Sequence, residues 1–263
     1  MRLALGISYD GRAYHGWQSQ PSGLTVQDKL EAALSAFADP AAEPIATLCA
    51  GRTDAGVHGL MQVVHFDTHL HREPFSWVRG TNRFLPPDIA VQWAQVVPDS
   101  FHARAAAIGR RYAYVVLESP VRPSLDAHRV GWVFKPLDGA AMRQAASHLI
   151  GEHDFTSFRA SACQALSPVK HLRSLEIARR GAYWRFSFEA SAFLHHMIRN
   201  IMGCLISVGT GARPPQWMRE VLQARDRNAA APTFAPDGLY FLGPMYDAKW
   251  GLPAGTPAYD WLP

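Results

Sequence analysis

The sequence predicts an α+β protein of two similar halves, with mostly antiparallel sheets covered by helices. Three observations carry that prediction. The first part of the chain alternates strand-like and helix-like segments in the order β-α-β, loop, β-α-β, which favours sheets covered by helices on one face. The second part mixes strands with two helices in a similar order, as a pseudo-duplicated chain would. At 263 residues, 48% hydrophobic and 18% charged, the composition is that of a protein with a real core. The halves divide at residues 1–108 and 109–263, the first carrying a glycine-rich loop.

Leu3, Leu5, Ile7 and Tyr9 alternate with smaller or polar residues, the pattern of a half-buried strand ended by Asp10-Gly11. Thr25 with Asp28 three residues on resembles a capping box, and Val26, Leu30, Ala33, Leu34 and Phe37 share one helical face until Asp39-Pro40. Ile45–Ala50 and Met61–Phe66 are apolar strands. Glu73–Phe84 reads as a helix offering Phe75, Trp77 and Val78 to the core, and Ile89–Val97 as a strand. Phe101–Leu117 interleaves Arg104, Arg110 and Arg111 with tyrosines, and Tyr112 and Tyr114 share one strand face. A tyrosine packed with its hydroxyl bonded suits Tyr114 better than an RNA contact.

A proline-containing stretch, Ser119–Pro136, links the halves. Asp138 caps a helix running to Ile150, and Gly151–Phe158 is a polar–aromatic loop. Leu172–Ala178 and Tyr183–Ala190 are strands. Phe193–Val208 reads as a buried helix interrupted by Arg199 and Asn200. An arginine inside so apolar a segment must find a partner. Pro214-Pro215 opens a last helix to Ala224, Gly238–Leu242 is a final strand, and the tail is irregular.

No stretch approaches the roughly eighteen apolar residues of a membrane span. The N-terminus is too short an apolar run for a signal peptide, so a cytoplasmic protein is expected. Three distant cysteines without a CxxC pair argue against disulfides and a cysteine zinc site. His65, His69 and His71 read as a strand end rather than a ligand set. The 26 basic residues are mostly arginine, whose forks grip phosphate and stack on bases. A compositional bias, given the many Ala and Pro residues, would give the same ratio, so charge alone leaves RNA as a candidate partner only.

The stretch Cys49–Gly59 draws most attention. Gly51, Gly56 and Gly59 would permit positive φ and close approach to the backbone, while Arg52 and Asp54 stand two positions apart on a loop held between strands. On spacing alone it is equally a solvated strand connection.

Three segments together resemble the tRNA pseudouridine synthase A family. They are Ala50-Gly-Arg-Thr-Asp-Ala-Gly-Val-His58, Arg110-Arg-Tyr-Ala-Tyr114 and Phe193-Leu-His-His-Met-Ile-Arg-Asn-Ile-Met-Gly203. Tyr9-Asp-Gly11, Gly16-Trp-Gln18, Phe101-His-Ala-Arg104, Asp154–Arg159 and Gly238-Leu-Tyr240 extend the likeness from Leu3 to about Leu242. Gly59, where alanine is expected, departs from the pattern and would loosen the loop slightly. The resemblance implies a pseudouridine synthase fold with its active-site cleft between the halves. It implies isomerisation of uridines on the 3′ side of the tRNA anticodon stem-loop, by a homodimer. It makes Asp54 the essential aspartate, Tyr112 the base-stacking tyrosine and Arg199 the basic partner of the aspartate. It gives Arg52 the extruded nucleotide to hold and places Leu239 at the substrate. Arg104, Arg110 and Arg111 are looser candidates for phosphate contact, and Arg12 and Arg72 weaker ones.

The chemistry suits these residues. Breaking N1–C1′ and rejoining through C5 is redox-neutral and requires no cofactor or metal. One carboxylate can act as nucleophile or base, and the base must leave its stack to be reached. A non-catalytic RNA-binding module on the same scaffold is the alternative, resting on the arginine–aromatic interleaving. A glycosidase would need a second carboxylate beside Asp54, and none is convincing.

Overall fold

The computed structural model describes residues 1–39, 41 and 43–253; Pro40 and the last part of the tail lie outside them. The chain forms two compact units. One comprises Met1–Ile108 together with the strand from Tyr240, and the other Gly109–Leu239. Among the described residues no helix is long and apolar enough to cross a membrane.

In the first unit, β1 (Arg2–Tyr9) lies between β4 (Ile89–Val97) and β3 (His58–Asp67), antiparallel to both; β10 (Leu239–Tyr246) runs parallel to β3 with Tyr240 opposite His58. Two helices cover one face. α1 (Val26–Ala38) buries Val26, Leu30, Ala33 and Leu34, and its Thr25 cap accepts from the Asp28 N–H while donating to the Asp28 carboxylate at 2.5 Å. The Asp28 carboxylate also accepts from the Thr25 backbone N–H, completing a capping box with aspartate in place of the usual glutamate. α2 (Pro74–Phe84) sends Trp77 into the core against Phe37 and Phe66, with ring centroids at 5.3 and 5.2 Å. Gly80 pays a helix-propensity penalty of about 1 kcal/mol because a Cβ there would sit 2.0 Å from the Phe37 ring. Phe75 faces solvent instead of the core.

β1 is buried on both faces rather than one. Leu3, Leu5, Ile7 and Tyr9 meet the helices, while Ala4 belongs to a second cluster with Val63, Phe101 and Ala103, closed by Tyr246 and Trp250 from the C-terminal segment. Alternation of large and small residues looked like one wet face; the small residues leave room for Trp93, whose ring occupies the space a Cβ on Gly6 would need. His65 on β3 is 3% exposed, and its Nδ1 accepts the Ala103 N–H at 3.2 Å. Burial, aided by His102 and Arg2, pushes its pKa down to about 4. The unfolded chain thus binds a proton that the folded chain refuses. Stability is full above about pH 6.5 and is expected to fall as the pH drops towards about 4. Denaturant midpoints across that window should show a shallower decline for His65→Asn, and equal slopes would contradict the assignment.

In the second unit β5 (Ala107–Glu118), β9 (Tyr183–Ala190), β8 (Val169–Arg180) and β7 (Gly151–Asp154) follow one another antiparallel, and β6 (Gly131–Val133) pairs parallel to β5. Asp138 caps α3 (Gly139–Ser147) by accepting from Ala140 and Ala141 N–H; α3 packs on α4 (Met197–Gly209) and β8. α5 is Trp217–Ala224. β6 lies within the stretch read as linker and β7 within the stretch read as loop. Both are too short to carry a period-2 pattern, and the residues of β7, Gly-Glu-His-Asp, have little strand preference of their own, so pairing with the partner strand creates them.

Candidate functional site

In the first unit a two-residue strand, β2 (Leu48–Cys49), pairs with β3, and the loop between them carries Arg52 and Asp54. Buried bonds brace this loop along its length. Gln62 on β3 is fully buried, and its amide grips the Gly51 backbone, donating to the carbonyl at 2.5 Å and accepting the N–H at 3.4 Å. Thr53 is buried; its Oγ1 shares a 2.8 Å hydrogen bond with the Tyr9 hydroxyl, and its carbonyl accepts the Trp17 N–H at 3.0 Å. With Thr53 turned inward, Arg52 is left exposed and Asp54 half-buried. The Val57 N–H returns to the Asp54 carbonyl at 3.2 Å, closing a turn through Gly56 at φ 80°.

Of the three glycines that would permit positive φ, only Gly56 adopts it. A Cβ on Gly51 would meet the Phe241 ring at an ordinary 3.8 Å. Gly59 does not loosen the loop: a Cβ there would lie 2.3 Å from the Tyr9 ring, so the missing methyl lets Tyr9 lie against the strand and reach Thr53. Gly16, at φ 89°, is the glycine that approaches the Thr53 and Asp54 backbone, its Cβ position being 2.7 Å from the Thr53 carbonyl oxygen.

The far end of the turn rests on His58, which is buried and stacked on Tyr240 at 4.7 Å. Its Nδ1 lies 3.2 Å from both the Gly11 N–H and an Asp10 carboxylate oxygen. Burial tends to raise the Asp10 carboxyl, but bonds from Arg12 outweigh it and hold the group below its usual range. Arg12 is thereby occupied within the protein. So is Arg72, which donates to the Phe37 and Ala38 carbonyls and caps α1. Arg104 donates to the Cys49 carbonyl at 3.3 Å, tying the Phe101–Arg104 segment to the strand that enters the loop. Cys49 itself is core, its thiol pushed up by burial.

The second unit carries the other candidates. Tyr112 on β5 is 8% exposed and meets Phe193 edge-on at 5.1 Å. Tyr114, on the same face, is fully buried and donates to the Ala235 carbonyl at 2.6 Å. Arg110 donates to the Ser191 carbonyl at 3.0 Å, and Arg111 stands opposite Glu189 in the β5–β9 register. α4 starts at Met197, because His196 adopts φ 61° and ends helical geometry there. Arg199 is thus in the first turn, where the helix dipole opposes a cation. Its Nε donates to the Phe234 carbonyl at 2.9 Å. Leu239 is buried at the start of β10, with its N–H on the Pro236 carbonyl. Gln62, the bond from Tyr9 to Thr53 and the Phe234 carbonyl on Arg199 were not singled out from sequence; Gln62, an amide in the middle of an apolar strand, was the available signal.

The chain matches the family model described as tRNA pseudouridine synthase over residues 6–104 and 145–247, and it belongs to that family. Its relatives include proteins named tRNA pseudouridine synthase A from Polaromonas naphthalenivorans, 71% identical over 267 residues, Methylibium petroleiphilum, 70% over 263, and Paracidovorax citrulli, 68% over 281. In each case the whole of both chains is covered.

Proposed function

We propose that this protein isomerises uridine to pseudouridine in the anticodon arm of tRNA, with Asp54 as the reacting carboxylate. The observation that carries the reading is full-length similarity to synthases of that name, together with a carboxylate held half-exposed on a loop whose neighbours are locked by buried bonds. Such bracing is what a group needs to meet a reacting atom without paying for its own ordering. The uracil N1–C1′ bond breaks, the base turns, C5 bonds to C1′, the hydrogen on C5 leaves as a proton and N1 gains one. Electrons balance without an oxidant or reductant. Asp54 serves this sequence as nucleophile or as base.

Arg52, exposed beside Asp54, supports the extruded nucleotide. Tyr112 stacks on the detached uracil, Arg199 supplies positive charge for the reacting nucleotide, and Leu239 lines its place. Arg104, Arg110 and Arg111 contribute charge along the RNA backbone. Incubation with tRNA carrying tritium at uridine C5 tests the activity: release of tritium to water is expected, and tRNA binding without release would leave only an RNA-binding module. The protein acts as a homodimer; light scattering after size exclusion should give twice the chain mass, and a monomer in the presence of tRNA would contradict it.

A further inference from the structure

We infer that Asn200, Thr233 and Arg227 are positioning residues that set the guanidinium of Arg199; the inference rests on Arg199 acting at the substrate as proposed above. Arg199 and Phe234 exchange two bonds, Arg199 Nε to the Phe234 carbonyl at 2.9 Å and the Phe234 N–H to the Arg199 carbonyl at 3.1 Å. The arginine is therefore only as well placed as the irregular segment containing Phe234, which has no helix or strand to order it. What orders it is a directed polar network. Arginine can only donate, so Arg227 Nη2 gives to Thr233 Oγ1 at 3.0 Å and to Asn200 Oδ1 at 3.2 Å. The Thr233 hydroxyl, having accepted, gives its own proton to Asn200 Oδ1 at 2.7 Å, and Asn200 Nδ2 gives to the Phe158 carbonyl at 2.8 Å.

Asn200 is fully buried on a helix otherwise rich in Ile, Met and Leu. An apolar residue would serve the core there without the desolvation cost of an amide. What the amide adds is direction, fixing the residue just before the Phe234 carbonyl. The rest of the segment is tied as closely. Its Ala231 N–H reaches Cys204 Sγ at 3.3 Å, a Cβ on Gly203 would strike the Pro232 carbonyl oxygen at 2.2 Å, and Tyr114 holds the Ala235 carbonyl. With Nε committed and its acceptor immobile, the plane of the guanidinium is set.

A double-mutant cycle on the full-length protein tests this, reading the single-turnover rate of tritium release, tRNA affinity by filter binding, and Tm. Thr233→Val, which removes both bonds of the Thr233 hydroxyl, should slow release about tenfold, on the scale of the net worth of such bonds, with tRNA affinity within about twofold. Thr233→Ser should restore the rate, and in an Arg199→Ala background Thr233→Val should add almost nothing. Undiminished release by Thr233→Val alongside a slow Arg199→Ala would overturn the inference while leaving the role of Arg199 intact. An equal loss in both backgrounds would overturn it as a general packing effect. A fully active Arg199→Ala would instead remove the reading on which it rests. Should Thr233→Val fail to fold, Arg227→Lys, which keeps the charge and loses the fork, enters the same cycle with the same expected outcomes.

Discussion

Asp54→Asn should reduce tritium release from C5-labelled tRNA by at least about 10³-fold, within the range a positioned acid–base or nucleophilic group contributes, while tRNA binding changes by less than about threefold. The near-isosteric amide should leave the Val57 N–H to Asp54 carbonyl turn and the Tyr9–Thr53 bond in place, because neither uses the carboxylate. Filter binding and a release time course separate the two effects. Release within tenfold of the unsubstituted protein would show that another group does the chemistry.

The largest stability effect is expected at Trp77. Its side chain is fully buried, edge-on to both Phe37 and Phe66, and joins α1, α2 and β3. Trp77→Ala should cost about 3–5 kcal/mol, a large part of the total stability of a typical domain. Trp77→Phe should cost far less, because it keeps an aromatic surface and removes an indole N–H that is buried with no hydrogen-bond partner. Urea unfolding at constant slope measures both. A Trp77→Ala midpoint equivalent to less than about 1 kcal/mol would mean that the core closes over the gap.

Much of this could be read in the chain. α1 announced itself through Thr25, Asp28 and the spacing of Val26, Leu30 and Leu34, all local signals. The loop of Asp54 was legible because Arg52, Asp54 and His58 fall within one short segment, and the family because that segment recurs with those around Tyr112 and Arg199. Other features depend on partners distant in sequence. β2 shrinks to Leu48–Cys49, and β7 exists only through pairing with β8. The strand from Tyr240 joins the first unit, whereas chain order places it in the second half. Tyr9 was legible as a strand residue and as part of the Tyr9-Asp-Gly11 likeness; that its hydroxyl braces Thr53, through space opened by Gly59, needs the geometry of two strands. Asn200 was visible as an interruption of an apolar helix, but its acceptors and donors, Phe158, Arg227 and Thr233, are scattered across the unit.

Position-resolved detection of pseudouridine tests the central claim most directly. Unmodified tRNA incubated with the protein, treated with a carbodiimide that leaves a stable adduct on pseudouridine, and copied by reverse transcriptase should give new stops confined to uridines of the anticodon arm. The same tRNA incubated with Asp54→Asn should give none. Full-length copies after incubation with the unsubstituted protein, or equal stops with Asp54→Asn, would contradict the account.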